Sequence, residues 1–196
     1  MTTETKKQPI ELFLKWFDEA KSAEPALPEA MSVASVAADG RPSSRMVLLK
    51  DVDARGFTFY TNLNSRKACE IQENANVALL FHWKSLKRQV RVEGLAKPVS
   101  NEEADTYFAT RDRGAQIGAW ASEQSAPMSG QFELEKKVAE WTVKFGVGKI
   151  PRPPFWSGLR VEPLRIEFWS DGRFRLHDRL IYIRDSDEWK TERLFP

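Results

Sequence analysis

The sequence predicts a mainly β protein with inserted helices, folded as a single domain over residues 1–196. About eight short segments show the composition and alternation of antiparallel strands, and turn residues separate most of them. With 196 residues and 41% hydrophobic content, the chain is long enough for one buried core and short for two. Because closure removes exposed strand edges, many short strands with few helices favour a closed or partly closed barrel.

The N-terminal segment contains no strand signal. Residues 1–9 are polar, and we expect them to be disordered and not to form a signal peptide, since no apolar core follows the basic residues. Apolar residues then recur at helical spacing from Ile10 to Phe17, and Pro25 and Pro28 end the segment. This pattern predicts a short amphipathic helix.

Strand signals begin near residue 31. Segments 32–36, 45–50 and 57–61 predict three strands in a meander, with residues 51–56 connecting the second to the third. The middle strand contains four consecutive apolar residues without alternation. We therefore expect both of its faces to be buried.

The middle of the chain combines a hairpin with a helix. Segments 77–83 and 88–96 alternate cleanly and predict two paired strands. A capping box at Ser100–Glu103 begins a helix that places Tyr107 and Arg111 four residues apart, where both could contact one anion. A pair that only packs is at least as common at that spacing.

The C-terminal third predicts one more helix and four more strands. Apolar residues at helical spacing run from Leu134 to Phe145, and two glycines follow. Segments 159–162 and 164–169 then predict strands, and a last hairpin ends at Leu194.

Two cations lie in the first turn of a short predicted helix over residues 65–71. Arg66 and Lys67 oppose the helix dipole there, at a cost of ~0.3–1 kcal/mol each unless an anion lies between them and the backbone donors. A bound phosphate would remove this cost. A solvated pair without a ligand stays the alternative, because the dipole effect is small and screened.

A dense run of cations and rings occupies Arg173–Arg179. In an extended backbone, side chains alternate between faces, so four of them would form one anion-binding row. These four are Arg173, Arg175, His177 and Arg179. Guanidinium forks match phosphate oxygens, and imidazole can exchange a proton near neutral pH. The competing interpretation is an edge strand whose charges discourage sheet pairing.

Composition and missing motifs exclude several function classes. A net charge of +2 is too small for a dedicated nucleic-acid binder, and no apolar run is long enough to span a membrane. One cysteine, Cys69, excludes an internal disulfide, and we expect it to be buried. Dinucleotide, P-loop and metalloprotease motifs are missing, and two histidines with one cysteine make no zinc site. We expect the protein to be cytoplasmic and to hold no metal. If it catalyses a reaction that side chains alone cannot perform, a cofactor must supply that chemistry.

Several ordered blocks carry a resemblance over residues 31–196. They are Arg45–Lys50, Phe59–Asn62, Ser65–Ala68, Arg88–Val90, Gln116–Ser122, Gln124–Ser125, Pro154–Gly158, Ile166–Trp169 and Arg175–Arg179. With these blocks the chain resembles the pyridoxine (pyridoxamine) 5'-phosphate oxidase family. The resemblance implies a homodimeric, FMN-binding split β-barrel with the flavin at the subunit interface.

The resemblance also assigns residues to the site. It implies that FMN is held by Arg45, Met46, Val47, Leu48, Leu49, Lys50, Tyr60, Thr61, Arg66, Lys67, Gln89, Gln124, Ser125, Trp169 and Arg179. It implies that the substrate is bound by Lys50, Tyr107, Arg111, Arg175, Leu176 and His177, with Arg175 and His177 as the catalytic pair. Two departures are Ala115, where the family often has a phosphate-binding serine, and an N-terminus that looks short for a substrate-covering segment.

The expected reaction follows from the resemblance. Pyridoxine 5'-phosphate and pyridoxamine 5'-phosphate, two phosphorylated B6 vitamers, would be oxidised to pyridoxal 5'-phosphate by hydride transfer to the flavin. Oxygen would then accept the electrons and give hydrogen peroxide. A non-catalytic flavin- or pyridoxal-phosphate-binding split-barrel protein is the first alternative, and a flavin reductase with another donor is the second.

Overall fold

The computed structural model describes residues 9–196 of the chain. Five α-helices and one 3₁₀ turn lie in this part of the chain. The helices are α1 (Pro9–Ala23), α2 (Arg66–Glu73), α3 (Asn101–Thr110), α4 (Arg113–Ala121) and α5 (Glu133–Phe145), and the 3₁₀ turn is Arg173–Arg175. None of these helices is long and apolar enough to cross a membrane.

Nine strands of the described residues form one antiparallel sheet. The strands are β1 (Ala30–Val36), β2 (Pro42–Leu48), β3 (Asp51–Asp53), β4 (Gly56–Asn62), β5 (Asn76–Trp83), β6 (Arg88–Pro98), β7 (Trp156–Ser170), β8 (Asp178–Asp185) and β9 (Glu188–Arg193). Their order is β2-β1-β5-β6-β7-β4-β3, and β8 and β9 extend the sheet from β7.

Strand β7 organises the sheet because it changes partners along its length. It pairs with β6 over residues 159–170, with β4 over residues 156–161 and with β8 over residues 165–170. The register with β6 shifts between Glu93 and Gly94. A Cβ at Gly94 would lie 2.1 Å from the carbonyl oxygen of Glu162, so the close approach at this bulge requires glycine. Bulges of this kind bend strands, as the curled sheet requires.

Helix α1 closes the core of the curled sheet. Its residue Phe13 is fully buried and contacts the rings of Phe57 and Phe81 edge-on, at centroid distances of 4.8 and 5.0 Å. Phe17 packs beside Trp83 in the same cluster. A second apolar cluster under α3 and α4 surrounds the Trp156 ring, and this cluster supports the site described below.

The predicted fold class is confirmed, since the chain is mainly β with a curled antiparallel sheet and inserted helices. The hairpin of β5 and β6 and the capping box at Ser100 are also confirmed. Residues 1–8, predicted to be disordered, lie outside the described residues, and Pro9 already belongs to α1.

Three local predictions are wrong. The meander is replaced by two hairpins, because β2 pairs with β1 alone while β4 pairs with β3 and β7. Strand β2 is therefore an edge, and Met46 on it is 64% exposed, against the prediction that both faces are buried. Cys69 is exposed on α2, because the buried face of that short helix is formed by its neighbours.

The backbone of Arg173–Arg179 is extended only in its last two residues, so the predicted row of four side chains is wrong. Arg173–Arg175 form a 3₁₀ turn in which Phe174 and Arg175 have φ values of 58° and 64°. This turn folds back on Gly172, where a Cβ would lie 1.9 Å from the Leu176 carbonyl oxygen. Glycine therefore permits a tight turn that the alternating pattern does not reveal.

Candidate active site

A cavity of about 560 Å³ opens between the β2–β4 side of the sheet and helices α3 and α4. It is lined by Met46, Val47, Leu48, Lys50, Tyr60, Thr61, Asn62, Lys67, Tyr107, Arg111, Ala115, Gly118, Ala119, Ser122, Gln124 and Trp156. Eight of the fifteen predicted cofactor residues are among them: Met46, Val47, Leu48, Lys50, Tyr60, Thr61, Lys67 and Gln124. The predicted phosphate ligands of the substrate, Lys50, Tyr107 and Arg111, line the same cavity.

Lys67 brings a buried ammonium group to this cavity from the first turn of α2. Its Nζ donates to Thr61 Oγ1 at 3.1 Å, Ser65 Oγ at 3.2 Å and Gln124 Oε1 at 3.0 Å. All three acceptors are neutral, and the residue is 8% exposed. Burial, with a smaller contribution from the charge of Arg45, lowers the pKa of Lys67. An anion in the cavity would supply the missing counter-charge.

Tyr107 and Arg111 are brought to the cavity by α3, as their spacing predicts. The Tyr107 ring stacks on Tyr60 at a centroid distance of 4.0 Å, and Trp156 stacks on Tyr60 at 5.2 Å. The Arg111 guanidinium lies over the Trp156 ring, 4.8 Å from its centroid. The ring stack thus fixes both side chains in place.

The guanidinium of Arg111 is only partly satisfied. Its Nη1 atom is buried and has no hydrogen-bond partner among residues 9–196. Burial lowers the pKa of Arg111, although this side chain stays protonated at any physiological pH. A buried charged donor without an acceptor is costly, and an anionic ligand would remove that cost.

Arg66 lies beside this cavity, where a second cavity of about 380 Å³ shares the lining residues Asn62, Ser122 and Gln124. The Arg66 side chain is 64% exposed, and its Nε donates to Glu70 Oε1 at 2.8 Å. Its backbone N–H donates to Ser125 Oγ at 3.2 Å, which brings the predicted pair Arg66 and Ser125 together.

Two predicted cofactor residues point their side chains into the protein. The Arg45 guanidinium donates to Val33 O and Ser35 Oγ, and its other terminal nitrogen lies 3.3 Å from Glu70 Oε2. Leu49 is 5% exposed and belongs to the apolar core. Their side chains therefore support the cavity wall.

The remaining predicted residues lie outside this cavity, on β6 and β7, in the 3₁₀ turn, and in the segment that leads from this turn into β8. We call Trp169, Arg175, Leu176, His177 and Arg179 the C-terminal group, and Lys50, Tyr60, Lys67, Tyr107 and Arg111 the cavity group. Gln89 pairs with Trp169 across β6 and β7, so it lies with the C-terminal group.

The C-terminal group makes contacts of its own. His177 packs on the Trp169 ring at a centroid distance of 4.7 Å, and its Nδ1 lies 3.2 Å from Asp171 Oδ1. Arg179 Nε donates to the buried Glu167 Oε1 at 2.8 Å. Arg175 is exposed at the 3₁₀ turn, and the adjacent Leu176 is 69% exposed. The structure thus separates the predicted catalytic pair from the cavity within one chain.

Sequence reasoning gave no site role to four residues that the structure places here. Asn62, Ser122 and Trp156 line the larger cavity, and Glu70 connects to Arg66 and Arg45. Only Glu70 leaves a local signal, because it lies four residues after Arg66 on the same helix. The other three reach the cavity through strand pairing and loop packing, which spacing does not encode.

Two family models match the chain. The model described as pyridoxamine 5'-phosphate oxidase matches residues 17–145. The model described as the C-terminal dimerisation region of pyridoxine 5'-phosphate oxidase matches residues 156–196.

Similar proteins carry the same name. A pyridoxine/pyridoxamine 5'-phosphate oxidase of Caulobacter vibrioides is 57% identical over 192 residues, covering 98% of this chain and 86% of that protein. One from Bartonella quintana is 53% identical over 193 residues, covering 97% and 93%.

Solved structures agree on the fold. PhzG from Burkholderia lata 383, in complex with tetrahydrophenazine-1-carboxylic acid, superposes with a TM-score of 0.93 at 35% identity and covers 98% of this chain and 95% of its own. A pyridoxamine 5'-phosphate oxidase-related, FMN-binding protein of Nostoc punctiforme PCC 73102 has a TM-score of 0.76 at 16% identity, covering 95% and 96%, and supports the fold alone.

Fold and cavity together define a split-barrel protein whose site is rich in cationic and aromatic donors. The chain belongs to the pyridoxamine 5'-phosphate oxidase family, because its models match most of the chain and near full-length relatives are more than half identical. It is an enzyme of that family, and the resemblance read from the sequence is confirmed.

Proposed function

We propose that this enzyme binds FMN and oxidises pyridoxine 5'-phosphate and pyridoxamine 5'-phosphate to pyridoxal 5'-phosphate. Bound FMN would supply the redox chemistry by accepting a hydride from the substrate C4' carbon and passing the electrons to oxygen, which gives hydrogen peroxide. The names of the relatives support the substrate class, and the FMN-binding neighbour supports a flavin.

The observation that carries this proposal is the convergence of cations on one cavity. Lys67 Nζ is buried among neutral oxygens, and Arg111 Nη1 is buried without a partner among the described residues. Lys50 lines the cavity as well. Such a donor set fits phosphate-bearing ligands, because phosphate oxygens accept charge-assisted hydrogen bonds from both ammonium and guanidinium groups.

The donors fall into two sets, one for the phosphate of the cofactor and one for the phosphate of the substrate. Arg66 and Lys67, at the start of α2, would hold the terminal phosphate of the cofactor, where the helix dipole also favours an anion. Tyr107 and Arg111, on α3 and at its C-terminal cap, would hold the substrate phosphate with Lys50. The Tyr60 ring stacks on Tyr107 and so connects the two positions.

The C-terminal group would complete the site from a second subunit. It lies outside the cavity of its own chain, and it falls within the region that matches the dimerisation model. Phe174 and Leu176 there are 91% and 69% exposed, which is unusual for large apolar side chains unless another surface covers them. We therefore propose a homodimer in which each cavity receives the partner's C-terminal group.

Within that group, Arg175 and His177 have different roles. A guanidinium stays protonated, so Arg175 would orient the substrate ring and would stabilise the negative charge that a bound flavin gains when it accepts the hydride. His177 is the better proton acceptor, since a neutral imidazole has a nitrogen lone pair and a guanidinium has none to offer. Its ring is already held by the Trp169 contact, which limits reorganisation during the reaction.

An oxidation assay tests the proposal. Flavin-loaded protein should convert pyridoxamine 5'-phosphate to pyridoxal 5'-phosphate with release of peroxide, and denaturation should release FMN rather than FAD. Bound flavin without turnover of either B6 vitamer would instead support a non-catalytic flavin-binding protein. A cytoplasmic location stays a prediction from the sequence.

A further inference from the structure

Glu70 is a buried carboxylate that neither the resemblance nor the proposed reaction uses. Its side chain is 7% exposed and lies on the inner face of α2, one turn after the two cations that begin the helix. Burying a carboxylate is costly unless its charge is paired and its oxygens are hydrogen-bonded. The contacts of each oxygen therefore indicate what this residue does.

The two oxygens of Glu70 serve different parts of the structure. Oε2 accepts from the hydroxyls of Ser35 on β1 and Ser43 on β2, both at 2.5 Å, and lies 3.3 Å from Arg45. Oε1 accepts from Arg66 Nε at 2.8 Å. Because the same two hydroxyls also accept from Arg45, the network joins both strands to α2.

The contact with Arg66 uses only one of its three nitrogens. Its Nε is held by Glu70, and the terminal nitrogens Nη1 and Nη2 have no partner among residues 9–196. An exposed arginine ordinarily samples many rotamers, and each phosphate contact then costs entropy. Fixing Nε removes much of that freedom before a ligand arrives.

We propose that Glu70 is a positioning residue for the cofactor phosphate: Oε1 holds Arg66 by Nε and leaves its terminal nitrogens free for the phosphate, while Oε2 anchors α2 to β1 and β2. This inference rests on the proposed binding of FMN. Hydrogen bonds from Ser35 and Ser43, followed by those from Arg66 and Arg45, hold the pKa of Glu70 at about 2, so the carboxylate is ionised at neutral pH.

The substitution Glu70→Gln removes the contact of Oε1 with Arg66 and keeps the contacts of Oε2 with the strands. The amide oxygen will take the Oε2 position, where donors from Ser35, Ser43 and Arg45 converge, so the link to the strands is kept. The amide nitrogen then faces Arg66 Nε, and two donors cannot bond. Arg66 is thereby released while the packing of α2 is retained.

The test compares two flavins on apoprotein. Flavin fluorescence gives the dissociation constants of FMN and of riboflavin, which has no phosphate. We expect Glu70→Gln to raise the dissociation constant of FMN about tenfold, the size of one charge-assisted contact, and to leave that of riboflavin within about twofold. Equal weakening of both flavins, or no weakening of FMN, would overturn the proposal.

Glu103→Gln is the matched control. Glu103 also accepts from an arginine, Arg160 at 2.8 Å, and pairs with Arg55 at 2.9 Å, and its pKa is likewise lowered to about 2. It caps α3 and has no contact with Arg66. Its substitution should lower thermal stability without the selective loss of FMN, and a selective loss there would overturn the assignment to Glu70.

A double substitution tests whether Glu70 acts through Arg66. In an Arg66→Ala background, adding Glu70→Gln should change the FMN dissociation constant by less than about twofold, because the positioned group is gone. Full additivity would contradict the proposal. If Glu70→Gln does not fold, Glu70→Asp is the second variant, since it keeps the charge but is one methylene too short to span both sets of partners.

The wild-type protein distinguishes this inference from the proposed function on which it rests. If wild-type apoprotein binds FMN no better than riboflavin, the phosphate site itself is wrong and both proposals fail. If wild type prefers FMN and Glu70→Gln keeps that preference, only the role of Glu70 is overturned.

Discussion

The cavity group and the C-terminal group are built from similar residue types, yet one chain completes only the first. Lys67, Tyr107 and Arg111 converge on one enclosed space and are held by burial and ring stacking. Arg175 is exposed on a 3₁₀ turn, and Leu176 beside it is 69% exposed. The donors proposed for phosphate are therefore organised within the subunit, whereas the groups proposed to contact the reacting ring lie outside the cavity of the same chain.

This difference assigns separate kinetic roles to the two groups. Contacts to a phosphate are equally strong in the ground state and the transition state, so their loss raises KM. Contacts to charge that develops in the transition state are stronger there than in the ground state, so their loss lowers kcat. The kinetic predictions test whether the two groups come from different chains and whether they act in these different ways.

Hybrid dimers should give the largest effect. Arg111→Ala changes the cavity group and Arg175→Met the C-terminal group. At substrate concentrations well below KM each homodimer should have little activity, the first because KM is raised and the second because kcat is lowered. A purified hybrid of the two variants should recover about half of wild-type activity, because one of its two sites then contains neither substitution. Steady-state assays on differently tagged, co-expressed chains measure this recovery.

The reciprocal hybrid is its control. Pairing wild type with the double variant Arg111→Ala/Arg175→Met places one substitution in each site if the groups meet across subunits, so this hybrid should stay nearly inactive. The opposite pattern, an active wild-type/double hybrid and an inactive single/single hybrid, would show that each chain forms its own site.

Arg175→Met alone should have the next largest effect. Removing the guanidinium should cost ~1.5–3 kcal/mol of transition-state stabilisation, about 10- to 200-fold in kcat/KM, while FMN stays bound. Arg173→Met, an exposed cation on the same turn, is the matched control and should stay within about twofold. Unchanged efficiency in Arg175→Met would support a plain solvated surface for this turn.

Much of the cavity group could be predicted from the sequence because it follows local rules. The capping box at Ser100 fixes where α3 begins, and the spacing of Tyr107 and Arg111 then brings both to one side. Strands β5 and β6 were likewise visible in their alternation. Periodicity within a segment is therefore enough to predict which residues lie together when a single helix or hairpin positions them.

Long-range pairing was not predictable in the same way. Strand β2 looked central by composition, but it is an edge whose exposed face forms a cavity wall. The turn has left-handed backbone at Phe174 and Arg175, and it closes because Gly172 has no Cβ to meet the Leu176 carbonyl oxygen. No periodic pattern encodes either feature. Glu70 meets serines from strands far earlier in the sequence, so only its contact with Arg66 was local.

The acid stability of the cavity side should depend on Glu70. Its pKa is about 2 in the folded protein and near 4.5 when unfolded, so it stabilises the fold fully above the unfolded value and loses this contribution as pH falls toward 2. Urea unfolding of wild type and Glu70→Gln at about pH 7 and about pH 3 measures it. Glu70→Gln should lose less stability on acidification, and an equal loss in both proteins would contradict this role.

Ala115→Ser should have the smallest effect and should distinguish the two groups by its kinetics. Ala115 lies in the first turn of α4 and lines the cavity with Lys50, Tyr107 and Arg111. A serine hydroxyl there adds one donor on the phosphate side without touching the C-terminal group, so KM should fall about three- to tenfold and kcat should hold within about twofold. Ala115→Val, which adds bulk without a donor, controls for shape. A lower KM in both variants would assign the effect to packing, and a changed kcat in Ala115→Ser alone would place this residue at the reacting ring instead of the phosphate.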